Sequence, residues 1–185
     1  MALCSSIVGI PKVCGDNNLG AIQEAYIGSF EDVTSLTVTD TADPDTDGEV
    51  TAVTREVGTQ FEKFEFPKDT SMFSENWTGD LVADTHSYTQ TVELGFRRFE
   101  LRKRNAVMTL ASGRRDLIVV AKDFNGDFWM LGSDQGLRLS AQAGRTNNTI
   151  AAGQSLTVTL TSENEKYMAY KVDATVAAGL LEAAV

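Results

Sequence analysis

Between Leu117 and Leu139 apolar runs alternate with turn residues in the manner of strands. Ile118, Val119 and Val120 lead into Asn125-Gly126, and Phe128-Trp129-Met130-Leu131 leads out to Gly132, Gly136 and a third apolar step at Leu137 and Leu139. Asn-Gly tolerates the positive φ angles of a type I′ turn, whose twist matches that of the strands it joins. A β-meander is therefore expected at the heart of the protein. No charged or nucleophilic constellation interrupts it, which points to a scaffold that pairs and packs.

Upstream, Ala25 to Phe30 and Leu36 to Thr39 read as strands, and the turn-prone Glu31-Asp32 between them suggests a hairpin. Asp40 to Gly48 is an acidic loop, and β character resumes from Glu49 to Val57. From Thr59 to Pro67, Phe61 falls on one side and Phe64 and Phe66 on the other, as in a strand with contacts on both faces. His86 to Phe96 repeats Tyr88, Gln90, Val92, Leu94 and Phe96 at period two, a long strand with one core face. Period 3.6 emerges only from about Phe99 to Ala111, where Phe99, Ala106, Val107 and Leu110 share a face and Ser112-Gly113 supplies a stop. Gln154 to Leu160 adds a last alternating strand, after which the chain passes into an Ala/Val-rich segment. The expected fold is mainly β: a β-sandwich or small barrel with one flanking α-helix. Residues 1–24 form an arm or loop, 25–172 the β domain with the helix at about 99–111, and 173–185 a C-terminal tail.

Composition narrows the picture. The chain has 185 residues, 42% of them hydrophobic, and three prolines, which excludes a disordered chain. No apolar run approaches the roughly 18 residues of a membrane span. The N-terminus has no basic start and too short an apolar stretch for a signal peptide, although Leu3-Ser5 with Cys4 faintly echoes a lipoprotein cleavage site, so the segment is expected to be retained in a protein made in the cytoplasm. Without a secretory signal, the glycosylation-type triplets Asn76-Trp77-Thr78 and Asn147-Asn148-Thr149 carry no meaning. Cys4 and Cys14, the only cysteines, lack histidine neighbours and cannot fill a tetrahedral zinc site.

Sixteen Lys and Arg against twenty-six Asp and Glu give a net charge of −10, which disfavours adhesion to nucleic acid. The cations cluster, however: Arg97, Arg98, Arg102, Lys103, Arg104, Arg114 and Arg115 place seven of the sixteen in nineteen residues. The basic helix lacks interleaved exposed aromatics, and the protein carries a surplus of anions that can pair with it. Salt bridges between subunits therefore explain Arg97, Arg98, Arg102 and Arg104 better than phosphate binding does.

Catalytic chemistry finds little support. The single histidine, His86, stands at the head of a strand without a patterned nucleophile. Phosphate-cradling glycine motifs are absent. Asp43-Pro44-Asp45-Thr46-Asp47-Gly48-Glu49-Val50 matches the first eight positions of a calcium loop, but position twelve is Thr54 and a strand follows. A solvated acidic turn is the plainer reading, with no metal and no cofactor. A third is that Asp43, Asp45 and Asp47 line a surface that must not stick to DNA.

The order of Cys14-Gly15-Asp16-Asn17, Leu19-Gly20, Ala25-Tyr26-Ile27, Phe61-Glu62-Lys63-Phe64-Glu65, Tyr88-Thr89-Gln90-Thr91-Val92, Lys103-Arg104-Asn105-Ala106, Asp123-Phe124-Asn125-Gly126, Trp129-Met130-Leu131-Gly132 and Gly136-Leu137-Arg138-Leu139 resembles the tail tube (major tail) proteins of phages and prophages of Bacteroides-like bacteria. The likeness lies in turns and strands over most of the chain, not in an invariant motif. It implies a structural, non-enzymatic virion protein, made in the host cytoplasm and assembled as ring-shaped, hexameric oligomers stacked into a tube. DNA would pass through the lumen without specific binding, and the partners would be further copies, a terminator, a tape measure and a baseplate. The terminal segments and the Asp40–Gly48 loop would act as arms reaching the next ring, ordering on assembly. Two other readings stay open: a head decoration or tail-completion ring protein, and a calcium-dependent binding module.

Overall fold

Five consecutive apolar residues, Leu117-Ile118-Val119-Val120-Ala121, are all buried in one strand. Side chains alternate across a strand, so such a run requires cover on both faces. A computed structural model, which describes residues 19–41, 47–80, 85–98, 100–112, 115–146 and 153–184, supplies both covers. In chain order the elements are β1 (Ile22–Ser29), a 3-10 turn (Phe30–Asp32), β2 (Val33–Val38), β3 (Glu49–Arg55), β4 (Glu62–Glu65), β5 (Met72–Asp80) and β6 (Thr85–Arg97). Then follow α1 (Leu101–Ser112), β7 (Leu117–Asp123), β8 (Phe128–Leu131), β9 (Arg138–Arg145), β10 (Ser155–Glu165), β11 (Tyr170–Val172) and α2 (Ala174–Gly179).

Seven strands form one sheet in the order β2-β3-β11-β8-β7-β1-β4, and four form a second in the order β5-β6-β10-β9. Among the described strands only the β3–β11 pair is parallel. Leu117, Val119 and Ala121 face the four-stranded sheet and share a core with Val92, Leu94, Leu156, Val158 and Leu160. Ile118 and Val120 point the other way, into a second core with Val50, Phe61, Val172, Ala177 and Leu180. Burying a Leu or Val side chain is worth about 1.5–3 kcal/mol, so the second core is a substantial part of the monomer's stability.

The two fully buried polar side chains of the sandwich find partners. Gln90 and Glu165 are fully buried. The Gln90 side-chain oxygen accepts the Gly132 N–H at 2.8 Å, and the Glu165 carboxylate accepts the N–H groups of Asp134 and Gln135 and the Ser162 hydroxyl. Together they hold the 132–136 loop, where the chain leaves one sheet for the other. A buried carboxylate without such donors would carry a large desolvation cost.

The β-sandwich is present, but neither sheet closes, so the small-barrel alternative does not hold: β2 and β4 edge one sheet, β5 and β9 the other. The β7–β8 hairpin forms through a different turn. Only Gly126 takes a positive φ, 98°, and the loop is Phe124-Asn125-Gly126, with the Asp123 carboxylate accepting the N–H groups of Asn125 and Asp127. A type I turn followed by a left-handed glycine is the usual three-residue loop; Asp123 stabilises it in place of type I′. The meander stops after two strands. Leu137 makes a single bridge to Leu117, and β9 pairs with β10 in the other sheet. Gly132 and Gly136, both at φ 74°, permit that exit.

The β1–β2 hairpin is also absent. β1 pairs with β4 and β7, while β2 pairs with β3, because the 3-10 turn carries the chain across the sheet and Phe30 N–H bonds the Asp116 carbonyl. The expected helix appears as α1, but a second one, α2, joins it. The Ala/Val-rich segment expected as an arm is packed instead, with Ala177 and Leu180 buried.

Candidate functional site

The four arginines singled out in the sequence gather where β6 runs into α1. Arg97 ends the strand. Arg98 takes a left-handed φ of 67°, a conformation that costs a non-glycine residue strain. Glu100 is the local counter-ion: it lies 3.8 Å from Arg98 Nε and 3.4 Å from Lys103 Nζ. Lys103 Nζ also donates to the Arg97 carbonyl at 2.7 Å, tying the strand end to the first turn of α1. Arg97, Arg102, Arg104 and Arg115 are exposed and make no ion pair with any described residue.

Several cations elsewhere are ion-paired. Lys63 pairs with Glu24 at 3.1 Å and Glu65 at 2.9 Å, Lys171 with Asp127 at 3.1 Å, and Arg138 grips Asp116 through Nε and Nη2. The Arg138 guanidinium holds the Asp116 carboxyl below the usual carboxylate range. Among the described residues the collar around α1 is thus a concentration of positive charge without ion pairs. It also exposes apolar surface: Leu101 is 72% and Met108 52% exposed, while Val107 is buried. Below α1 lies an open groove of about 850 Å³ bordered by β1 and β4, with Ile27, Phe64, Phe96 and Val107 in its lining.

The acidic residues are elsewhere. Asp47 is exposed at the tip between β2 and β3, where its carboxylate accepts the Thr41 N–H at 3.2 Å. Asp43 and Asp45 lie outside the described residues, as do Cys4, Cys14, Phe99, Arg114 and the Asn147–Thr149 triplet. Thr54, at position twelve of the calcium-like loop, is an exposed residue of β3. Among the described residues, no group of three or more His, Cys, Asp and Glu could hold a metal ion. His86 is exposed with its ring edge-on to Tyr88 at 6.4 Å. The structure therefore brings Arg97, Arg98, Arg102 and Arg104 together, while Asp47 stands on the separate β2–β3 connection.

The open edges β5 and β9 escaped the sequence reading. β5 carries Ser74, Glu75 and Asn76 between its apolar residues, and β9 has the weakly patterned Ser140-Ala141-Gln142-Ala143-Gly144, exposed throughout. Small residues, most of them uncharged, along an edge are the signal that was available. No helix among the described residues is long and apolar enough to cross a membrane. No protein-family model matches the chain, and neither a curated protein nor a solved structure matches it significantly.

Proposed function

We propose that this chain is a tail tube subunit, which polymerises as stacked rings around a DNA-conducting channel. The observation that carries the reading is the four-stranded sheet, whose edge strands β5 and β9 each have an unpaired side among the described residues. An unprotected edge is an unfilled row of backbone donors and acceptors. Joining β9 of one copy to β5 of the next satisfies both rows, and repetition around a ring closes the sheets into one large barrel without edges.

The outer face of that sheet suits a channel wall. On β6 and β10 it presents Thr89, Thr91, Glu93, Thr157, Thr159 and Thr161, opposite to the buried Gln90, Val92, Leu94, Val158 and Leu160. Hydroxyls and one carboxylate offer DNA no cation across the middle of the face. Arg97 and Arg145, both paired with Ser155, stand at one end, and Arg138 is engaged by Asp116. Since non-specific DNA binding rests on neutralising phosphates, such a wall lets the polymer slide.

Negative-stain electron microscopy of the purified protein over a range of concentrations tests the reading. Hollow tubes or stacked rings are expected. Persistent monomers at high concentration would overturn self-driven assembly, and single rings without tubes would favour a tail-completion or decoration role.

A further inference from the structure

The outer face of the four-stranded sheet changes character at one end. Side chains alternate across a strand, so the face that carries Thr91 and Glu93 also carries Arg97. The register sets Arg97 opposite Ser155 and Ser155 opposite Arg145, and the three form one row across β6, β10 and β9. Arg97 and Arg145 are thus two strand spacings apart, about 10 Å. Both are exposed and make no ion pair with any described residue. Arg98 follows at the same end, and Lys103 Nζ donates to the Arg97 carbonyl at 2.7 Å, which adds a further cation.

A concavity of about 660 Å³ opens at this row, lined by Thr70, Arg97, Arg98, Ser155 and Thr157 among others. Gly95 makes it possible: a Cβ there would stand 2.2 Å from the Thr70 carbonyl oxygen, so a side chain would push the turn after Pro67 off the sheet. That turn is a fixed wall. Thr70 Oγ1 donates to the carbonyls of Pro67 at 2.6 Å and Gly95 at 3.1 Å, and Ser71 Oγ accepts the Gly95 N–H at 3.0 Å. Phe96 belongs to the core, and the rest of the lining is guanidinium, hydroxyl, amide and glycine. A specific protein contact would show an apolar centre instead. Arginine forks and hydroxyls are the groups that hold phosphate oxygens without reading sequence.

The net charge of −10 does not cancel this row locally. Glu93 lies on the same side of β6 but four residues from Arg97, roughly 13 Å at about 3.3 Å each, and charges at physiological salt act over about 8 Å. Glu100, 3.8 Å from Arg98 Nε, is shared with Lys103. We infer that Arg97 and Arg145, aided by Arg98 and the hydroxyls of Ser155 and Thr157, bind the phosphodiester backbone of DNA. The inference rests on the tube reading above, which turns this face to the channel. Repeated around a ring, the row becomes a cationic girdle at one end of an otherwise indifferent wall. The backbone offers an equivalent phosphate at every step, so such a girdle guides the polymer without arresting it.

Tubes assembled in the presence of a fluorescent duplex oligonucleotide, then sedimented over a series of salt concentrations, test the girdle. Wild-type tubes should carry the duplex down at low salt and release it as salt rises. Arg97→Gln with Arg145→Gln should build the same tubes and hold the duplex on the order of tenfold more weakly, alike for two unrelated sequences, with a logarithmic salt slope shallower by about two. Lys122→Gln with Lys166→Gln removes the same charge away from this face and should leave affinity and slope as in wild type. Wild-type tubes without DNA at low salt, arginine variants that carry it equally, or an equal loss in the lysine variant would overturn the girdle and leave the tube reading standing. Arginine variants that fold, by circular dichroism, but build no tubes would overturn it too and assign the row to an acidic surface of a neighbouring copy. Wild-type protein that stays monomeric in every condition would remove both.

Discussion

α2 has six residues and α1 has twelve, yet the shorter helix is the more firmly held. Isolated helices of either length are marginal in water, so what each one covers decides its anchorage. α2 begins at Asp173, whose carboxylate accepts the Thr175 N–H at 2.8 Å, and buries Ala177 and Leu180 in the second core. Its far end presents carbonyls without helical partners, and Arg55 donates to three of those at or beyond the helix end, Gly179, Leu180 and Glu182, at 3.0 Å each. A cation is also favoured there by the helix dipole. α1 buries Val107 and turns Leu101, Met108, Arg102 and Arg104 to the outside. One helix completes the core; the other leaves apolar and cationic side chains exposed.

The largest effect is expected on the α2 side. Leu180→Ala removes a fully buried side chain and should cost about 3 kcal/mol, read by chemical denaturation of the monomer. Arg55→Met keeps the bulk over Phe61 but releases the four carbonyls, and about 2 kcal/mol should be lost. Should either variant unfold no sooner than wild type, α2 would not belong to the core.

A pH titration separates the two sides further. Tyr170 packs against the second core, and burial, reinforced by Tyr167, Asp134 and Glu165, pushes its phenol up to about 12 from the usual 10.0. A raised value means that the folded state holds the proton more tightly than the unfolded one. The contribution is complete below about pH 10 and is lost as pH rises from there through about 12. Melting curves should fall across that window in wild type and fall less in Tyr170→Phe; identical profiles would exclude the phenol as their cause.

The smallest change is expected on α1. Arg102→Ala and Met108→Ala alter exposed positions and should shift monomer stability by no more than about 0.5 kcal/mol. A larger loss in thermal melting would mean that α1's outer surface is already used within the monomer.

Much of the fold was legible in the chain. Period-two stripes at 86–96 and 154–160 became β6 and β10, and the face of Val92 and Leu94 pairs with that of Leu160 and Val158 as the stripes require. Phe61 and Phe66 enter different cores, as their opposite sides predict. The basic cluster was visible as a run of charge, and its lack of partners was not, since ion pairing depends on what the fold brings near. β11 and α2 were hidden for another reason: three residues and six residues are too few to display a period. Asp173 before Ala174 was a usable helix-start signal.

By itself the sequence determined the predominance of strands, the position of the β7–β8 hairpin and the extent of the longer helix, because alternation, turn chemistry and a stop at Ser112-Gly113 act over a few residues. Tertiary structure alone decided that β1 joins β4 and β7, that β9 leaves for the other sheet, and that α2 closes the second core. An apolar stripe states that a face must be covered without stating by which partner; that choice belongs to contacts between residues far apart in the chain, where all strands compete at once.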